Sequence, residues 1–168
     1  MSLTIHGIAA SRAIRPLWAA TELGLDFTHR PTPYQGGVTR SPDFLAINPN
    51  GHIPVWESMA CALYIARHHG TADGRSITPA SAREDADALR WSFWAVTECE
   101  TDALTVLMHR LAMPAERRKP ELAEAAEKRL AVPLRVIEQH LAAQQAAGQA
   151  HLAARRFTIA DLCVAAVL

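Results

Sequence analysis

Leu3, Ile5 and Ile8 recur along the first residues with Gly7 as a break, a pattern that predicts a short opening strand. A small-residue loop, AAS, leads into an amphipathic segment that ends at Gly24, and Phe27-Thr28-His29-Arg30 predicts a second strand bounded by the loop PTPYQGG. Strand, helix and strand in that order imply a parallel βαβ unit. Pro16 is harmless only in the first turn of a helix, so the intervening helix is expected to begin at or after Ala13. The segment SPDFLAINPNG carries turn chemistry up to Pro54. From Ser58 to His69 the apolar positions Met59, Ala62, Leu63, Ile65 and Ala66 recur at helical spacing, and Gly70 supplies a stop.

Beyond the polar stretch TADGRSITPA only helical periods remain. Ser81-Ala82-Arg83-Glu84 has the form of a capping box, and Leu89, Phe93, Val96, Leu104, Leu107 and Leu111 trace one face of a helix of about 30 residues. Leu122, Ala126, Leu130, Leu134, Ile137 and Leu141 trace a second helix, with a kink expected at Pro133. A third starts at Thr158, where FTIAD places an apolar residue before a capping box. It reaches Leu168 with Val164 and Val167 still apolar and no stop signal, so further helical cover is expected to be missing. The fold class expected is an α/β unit over residues 1–71, a linker at 72–80 and an all-helical bundle over 81–168.

One junction breaks the pattern. In GHIPVWESMA, Ile53-Pro54-Val55 reads as a strand entry, yet Glu57-Ser58-Met59-Ala60 already reads as a helix start.

Composition narrows the partners. Seventeen Lys and Arg balance 17 Asp and Glu across 168 residues, so neither nucleic acid nor an anionic membrane surface is an expected partner. The apolar runs fall short of the roughly 18 residues of a membrane helix, and MSLTIHGIAA lacks the basic start of a secretory signal. Cys61, Cys99 and Cys163 are odd in number and lie in Ala/Leu/Val-rich helical surroundings, as suits free thiols in a reducing, cytoplasmic setting.

Candidate chemistry gathers in the first unit. Ser11 follows the first strand and precedes a helix, whose positive end favours an anion, including a thiolate; an ordinary loop or cap serine has the same signature. The backbone of Ile53 or Val55 beside a cis Pro54 could pair with an extended peptide ligand. Glu57 offers a carboxylate for an ammonium group, and Ser58 at a helix start offers a hydroxyl for a carboxylate, so together they suit an α-amino acid; a plain N-cap is the alternative. His68 and His69 are adjacent and cannot chelate one metal at the i, i+4 spacing, and no metal is expected. Glu98, Glu100 and Asp102 read as a solvated face, and Trp18, Trp56, Trp91 and Trp94 as core or interface.

The strings SRAIRPLWAATELGLDF, INPNGHIPV, WESMACALYIARHHG and FTIADLCVAA, in this order, resemble the bacterial cytosolic glutathione transferases over residues 3–168. The resemblance implies a thioredoxin-like N-terminal domain, an all-helical C-terminal domain, a homodimer, and glutathione as co-substrate. It implies that Ser11 hydrogen-bonds the glutathione sulfur, with His6 or Arg12 as competitors for that role. Pro54 would be the cis proline, Val55 the backbone partner of the cysteinyl unit, Glu57 and Ser58 the grip on the γ-glutamyl end, and His52 the basic group near the glycyl carboxylate. The thiolate would attack a small hydrophobic electrophile held near Trp91, Phe93, Trp94 and Met108. In the family a strand hairpin separates the proline strand from the Glu-Ser helix; here Val55-Trp56 is all that remains, and the sheet is expected to be reduced to two strands. A glutathione-binding or protein-interaction module with little catalysis is the alternative.

Overall fold

The computed structural model describes residues 3–71 and 76–168; positions 72–75 of the expected linker lie outside the described residues. The chain divides into two compact units, residues 1–82 and 83–168.

In the first unit β1 (Leu3–His6) and β2 (Phe27–Arg30) pair in parallel, with Leu3 opposite Phe27 and His6 opposite Arg30. These two strands form the sheet among the described residues, as the shortened junction at Val55-Trp56 implied. Between them runs α1 (Ile14–Glu22), which starts one residue beyond the limit set by Pro16. It packs against α3 (Ser58–His69). Ala19, Ala20, Ala62 and Ala66 are fully buried, and their small side chains let the two helices approach closely while Leu17, Met59, Leu63 and Ile65 fill the space around them. Each of these larger side chains contributes roughly 1.5–3 kcal/mol by leaving water.

Two features of this unit differ from the sequence expectation. Residues 42–47 are not a bare turn but α2 (Pro42–Ile47), whose cap Ser41 accepts a hydrogen bond from the Phe44 N–H at 3.3 Å. Serine at the cap, proline at the first position and an acid in the first turn are all helix-start chemistry, which the short apolar content of the segment obscured. Gly70 does end α3, but at φ −94°, so left-handed backbone is not its reason. A Cβ at Gly70 would run into the Thr78 hydroxyl, which donates to the Ala66 carbonyl at 2.7 Å. The stop is a steric and hydrogen-bonding one.

In the second unit residues 82–112 form one helical run: α4 (Ala82–Trp94), a π-helical turn over Ala95–Cys99, α5 (Glu100–Leu107) and a second π-helical turn over Met108–Ala112. α6 (Pro120–Ala146) continues through Pro133, and α7 (Ile159–Ala165) follows. The expected core faces need correction. Phe93, Leu104, Leu107 and Leu111 are exposed, whereas Ala88, Trp91, Ser92, Ala95 and Cys99 are buried. α4 carries two apolar stripes, and the one with small residues beside a single tryptophan is the one that packs. A π turn adds a residue to the helix and so rotates everything after it by about 100°, which defeats a 3.6-residue extrapolation across 95–99. On α6 the buried stripe is Ala123, Ala126, Leu130 and Ile137, with Leu122, Leu134 and Leu141 exposed.

At the start of α4, Glu84 gives both carboxylate oxygens to Arg156, at 3.1 and 2.8 Å. The capping box of α7 is present as expected, and Asp161 reaches further than a cap, accepting from the Leu152 N–H at 2.8 Å as well. All three cysteines are free; Cys99 and Cys163 are buried and Cys61 is half-buried. Among the described residues no helix is long and apolar enough to cross a membrane.

Candidate functional site

The site is built where three loops of the first unit meet. β1 is followed by Gly7, whose N–H donates to the Arg30 carbonyl at 2.9 Å and whose carbonyl accepts from His29 Nε2 at 2.8 Å. Gly7 has φ +126°, and a Cβ there would collide with Ala13 and touch the Ile53 side chain at 3.4 Å. Glycine is required because the Ser11 turn and the Ile53-Pro54 segment close on the strand end together. The sequence strings around Ser11 and Pro54 are thereby brought side by side.

Ser11 lies two residues before the Ala13 cap of α1. Its hydroxyl donates to the Ile8 carbonyl at 2.7 Å and accepts from the Ala13 N–H at 3.2 Å. His6 stacks edge-on to Phe44 with ring centroids 6.1 Å apart, and burial, reinforced by the Arg30 guanidinium, holds its imidazole below the ordinary 6.5. His6 is therefore neutral at pH 7. Arg12 is exposed.

The peptide between Ile53 and Pro54 is cis. The turn before it is braced by Asn48, only 5% exposed, whose amide nitrogen donates to the His52 carbonyl at 2.8 Å and whose amide oxygen accepts from the Asn50 N–H at 3.1 Å. The His52 side chain is exposed, Val55 is half-buried and Trp56 is exposed, in edge-on contact with Tyr64 at 5.8 Å.

At the start of α3 Glu57 is the cap: one oxygen accepts from the Met59 N–H at 2.7 Å and the other from the Ser58 hydroxyl at 3.1 Å. Ser58 is 1% exposed and also accepts from Arg15 Nη1 at 2.6 Å. The N-cap alternative thus holds for Glu57, while Ser58 is more enclosed than a bare helix start implies. Sequence reasoning missed Arg15 and Asn48. The signal for Arg15 was an arginine four residues before Ala19, on the side of α1 that packs. One turn into α3, burial pushes the Cys61 thiol up to about 11, and the Glu57 carboxylate adds to the rise. That thiol stays protonated at neutral pH and is a poor nucleophile.

In the helical unit Trp91 is 2% exposed, locked by Trp94 at 5.3 Å and by His140 at 4.7 Å, so the expected contact of Trp91 with an electrophile is withdrawn. Phe93 remains solvent-facing, and Trp94 and Met108 are half-buried.

Residues 11–77 match the family model of the glutathione S-transferase N-terminal domain, and residues 100–168 match that of the C-terminal domain. Glutathione S-transferase 3 of Zea mays is 31% identical over 173 residues, covering 95% of this chain and 73% of the maize protein. Glutathione S-transferase GstB of Escherichia coli is 29% identical over 100 residues, 54% of this chain and 47% of its own. A theta class glutathione S-transferase of Xanthomonas axonopodis pv. citri, solved with glutathione bound, superposes with a TM-score of 0.75 at 25% identity over 96% of this chain and 78% of that one. The chain belongs to the glutathione S-transferase family, with a thioredoxin-like N-terminal domain carrying a small sheet and a helical C-terminal domain. Family membership makes it a glutathione transferase by class.

Proposed function

We propose that the first unit binds glutathione at the junction of the Ser11 turn, the His52–Val55 segment and the start of α3, and that the bound thiolate attacks a small hydrophobic electrophile. The observation that carries this reading is the convergence at Gly7: Ala13 of the Ser11 turn and Ile53 beside the cis Pro54 both press on one glycine. A tripeptide laid along Ile53–Val55 would then have its cysteine near Ser11 and its γ-glutamyl end at Glu57 and Ser58. Val55 would supply backbone hydrogen bonds, His52 would meet the glycyl carboxylate, and the glutathione-bound Xanthomonas relative supports the ligand.

Activation means lowering the thiol pKa. A fall of about two units corresponds to roughly 2.7 kcal/mol, within reach of one hydroxyl donor and a helix dipole together. The Ser11 proton must leave the Ile8 carbonyl to do this. It exchanges a neutral hydrogen bond of about 1 kcal/mol for one to a charged sulfur of about 1.5–3 kcal/mol, so the thiolate wins. The thiol proton leaves to solvent, since burial and the Arg30 guanidinium disfavour the charged form of His6. The sulfur then forms its bond to the electrophilic carbon, and the electron pair leaves with the displaced group.

We further infer that residues 1–71 and 81–168 are the working domains, that the protein acts in the cytoplasm as a homodimer, and that it serves detoxification. Exposed Trp56 of the first unit supplies apolar surface for such an interface. A second reading, glutathione binding with little turnover, draws support from the Ser11 hydroxyl being already satisfied by Ile8.

Saturable turnover of a chromogenic electrophile separates the two. Ser11→Ala should lower turnover by roughly one to three orders of magnitude with little change in glutathione affinity, because the hydroxyl acts on the thiolate. Unchanged turnover in that variant from pH 6 to 8 would move the role to His6, Arg12 or a backbone N–H.

A further inference from the structure

Arg15 is 2% exposed, beneath the start of α3, and its Nη1 lies 2.6 Å from the Ser58 hydroxyl oxygen. A buried guanidinium on a packed helix face is costly unless its charge is matched and its N–H groups are used. One of those N–H groups is used by the Ser58 hydroxyl, which in turn lies 3.1 Å from Glu57 Oε1. The three groups form a chain, guanidinium to hydroxyl to carboxylate, that ties α1 to the cap of α3.

We propose that Arg15 is a positioning residue that fixes Ser58 as a hydrogen-bond donor toward the γ-glutamyl end of glutathione. This rests on the site assigned above. A guanidinium carries only donors, so Ser58 must accept from it and its single proton must point the other way. In the free protein that proton goes to Glu57 Oε1. When an α-carboxylate arrives, the proton turns to it, and Glu57 Oε1 is released to accept from the α-ammonium group of the same ligand. One proton thus changes partner as both ligand charges are met, and the positive charge of Arg15 beneath the hydroxyl strengthens it as a donor to an anion. No proton crosses to or from Arg15 at any stage.

The chemistry distinguishes two replacements. Lysine, like arginine, only donates; glutamine can also accept, and would let the Ser58 proton turn inward. Arg15→Lys should weaken glutathione binding by roughly threefold and Arg15→Gln by roughly tenfold, with kcat at saturating glutathione within about twofold of the parent. Cysteinylglycine, which lacks the γ-glutamyl group, should bind all three proteins alike. In a Ser58→Ala background, Arg15→Gln should add no further loss. Calorimetry with the two peptides and steady-state kinetics read these effects, with circular dichroism reporting folding. An equal loss from Arg15→Gln with and without Ser58 would overturn the proposal, as would a fall in kcat with unchanged affinity. Failure of both Arg15 variants to fold would overturn it too, making Arg15 a folding residue. If Ser58→Ala alone binds glutathione like the parent, it is the site assignment that fails, whatever Arg15 does.

Discussion

Removing the Asp161 carboxylate tests whether the α7 cap is a local device or a tie within the helical unit. Asp161 is 9% exposed and accepts three hydrogen bonds: from the Leu152 N–H at 2.8 Å, the Thr158 N–H at 2.8 Å and the Thr158 hydroxyl at 2.7 Å. The two backbone donors belong to residues 5% and 2% exposed, so water cannot readily replace the lost acceptor. An ordinary cap contributes about 1 kcal/mol. Two stranded buried N–H groups at about 1–3 kcal/mol each raise the expected cost of Asp161→Ala to roughly 2–6 kcal/mol. Asp161→Asn keeps one acceptor oxygen and should lose about half as much, whereas Thr158→Ala should lose about 1–2 kcal/mol and add less than its own value to Asp161→Ala. Urea midpoints with their slopes give the free energies, and amide exchange at Leu152 locates the effect. A loss of about 1 kcal/mol with unchanged protection of the Leu152 amide would refute the reasoning, since the bond to Leu152 would then contribute nothing.

Two further outcomes follow from local geometry. Gly70→Ala should cost roughly 2–3 kcal/mol, because the added methyl drives the Thr78 hydroxyl off the Ala66 carbonyl, and a urea midpoint within a few tenths of a molar of the parent would contradict this. His6 is held below its ordinary 6.5 in the fold, so between that value and the lowered one the unfolded chain binds the extra proton: stability should fall as pH drops below about 6.5, and His6→Gln should flatten that slope in midpoints measured from pH 5 to 7.

How much of this was legible depended on whether a residue's role was local. β2 at Phe27–Arg30, α3 at Ser58–His69, the start of α1 and the capping box at Thr158 all leave a signature within a few neighbouring residues, and each stands where the sequence placed it. α2 was missed although S-P-D is helix-start chemistry, because six residues give too short an apolar period to detect. The face of the long helix was misread because Leu and Phe outweigh Ala and Cys on any hydropathy count. Packing density favours the small residues there, Ala88, Ala95 and Cys99 around Trp91, and a π turn then shifts the register.

The same distinction separates the visible part of the candidate site from the hidden part. Ser11, His52, Pro54, Glu57 and Ser58 sit at element ends, where turn and cap chemistry leaves a short signature. Arg15 and Asn48 act across 43 residues in one case and on a turn's own carbonyl in the other, and neither leaves a periodic trace. Both are nearly as buried as the core around them, which would couple binding at the proposed site to folding: Ser58 accepts from buried Arg15 at the first position of α3, and Glu57 caps that helix. A substitution at this junction therefore changes stability and ligand affinity together, and only a paired measurement, such as glutathione against cysteinylglycine in one folded variant, separates the two. The Ser11 turn differs, since its serine is half-buried and makes only local bonds to Ile8 and Ala13. If the proposed assignment holds, chemistry at the sulfur is expected to be alterable with little effect on the fold, and recognition of the γ-glutamyl end is not.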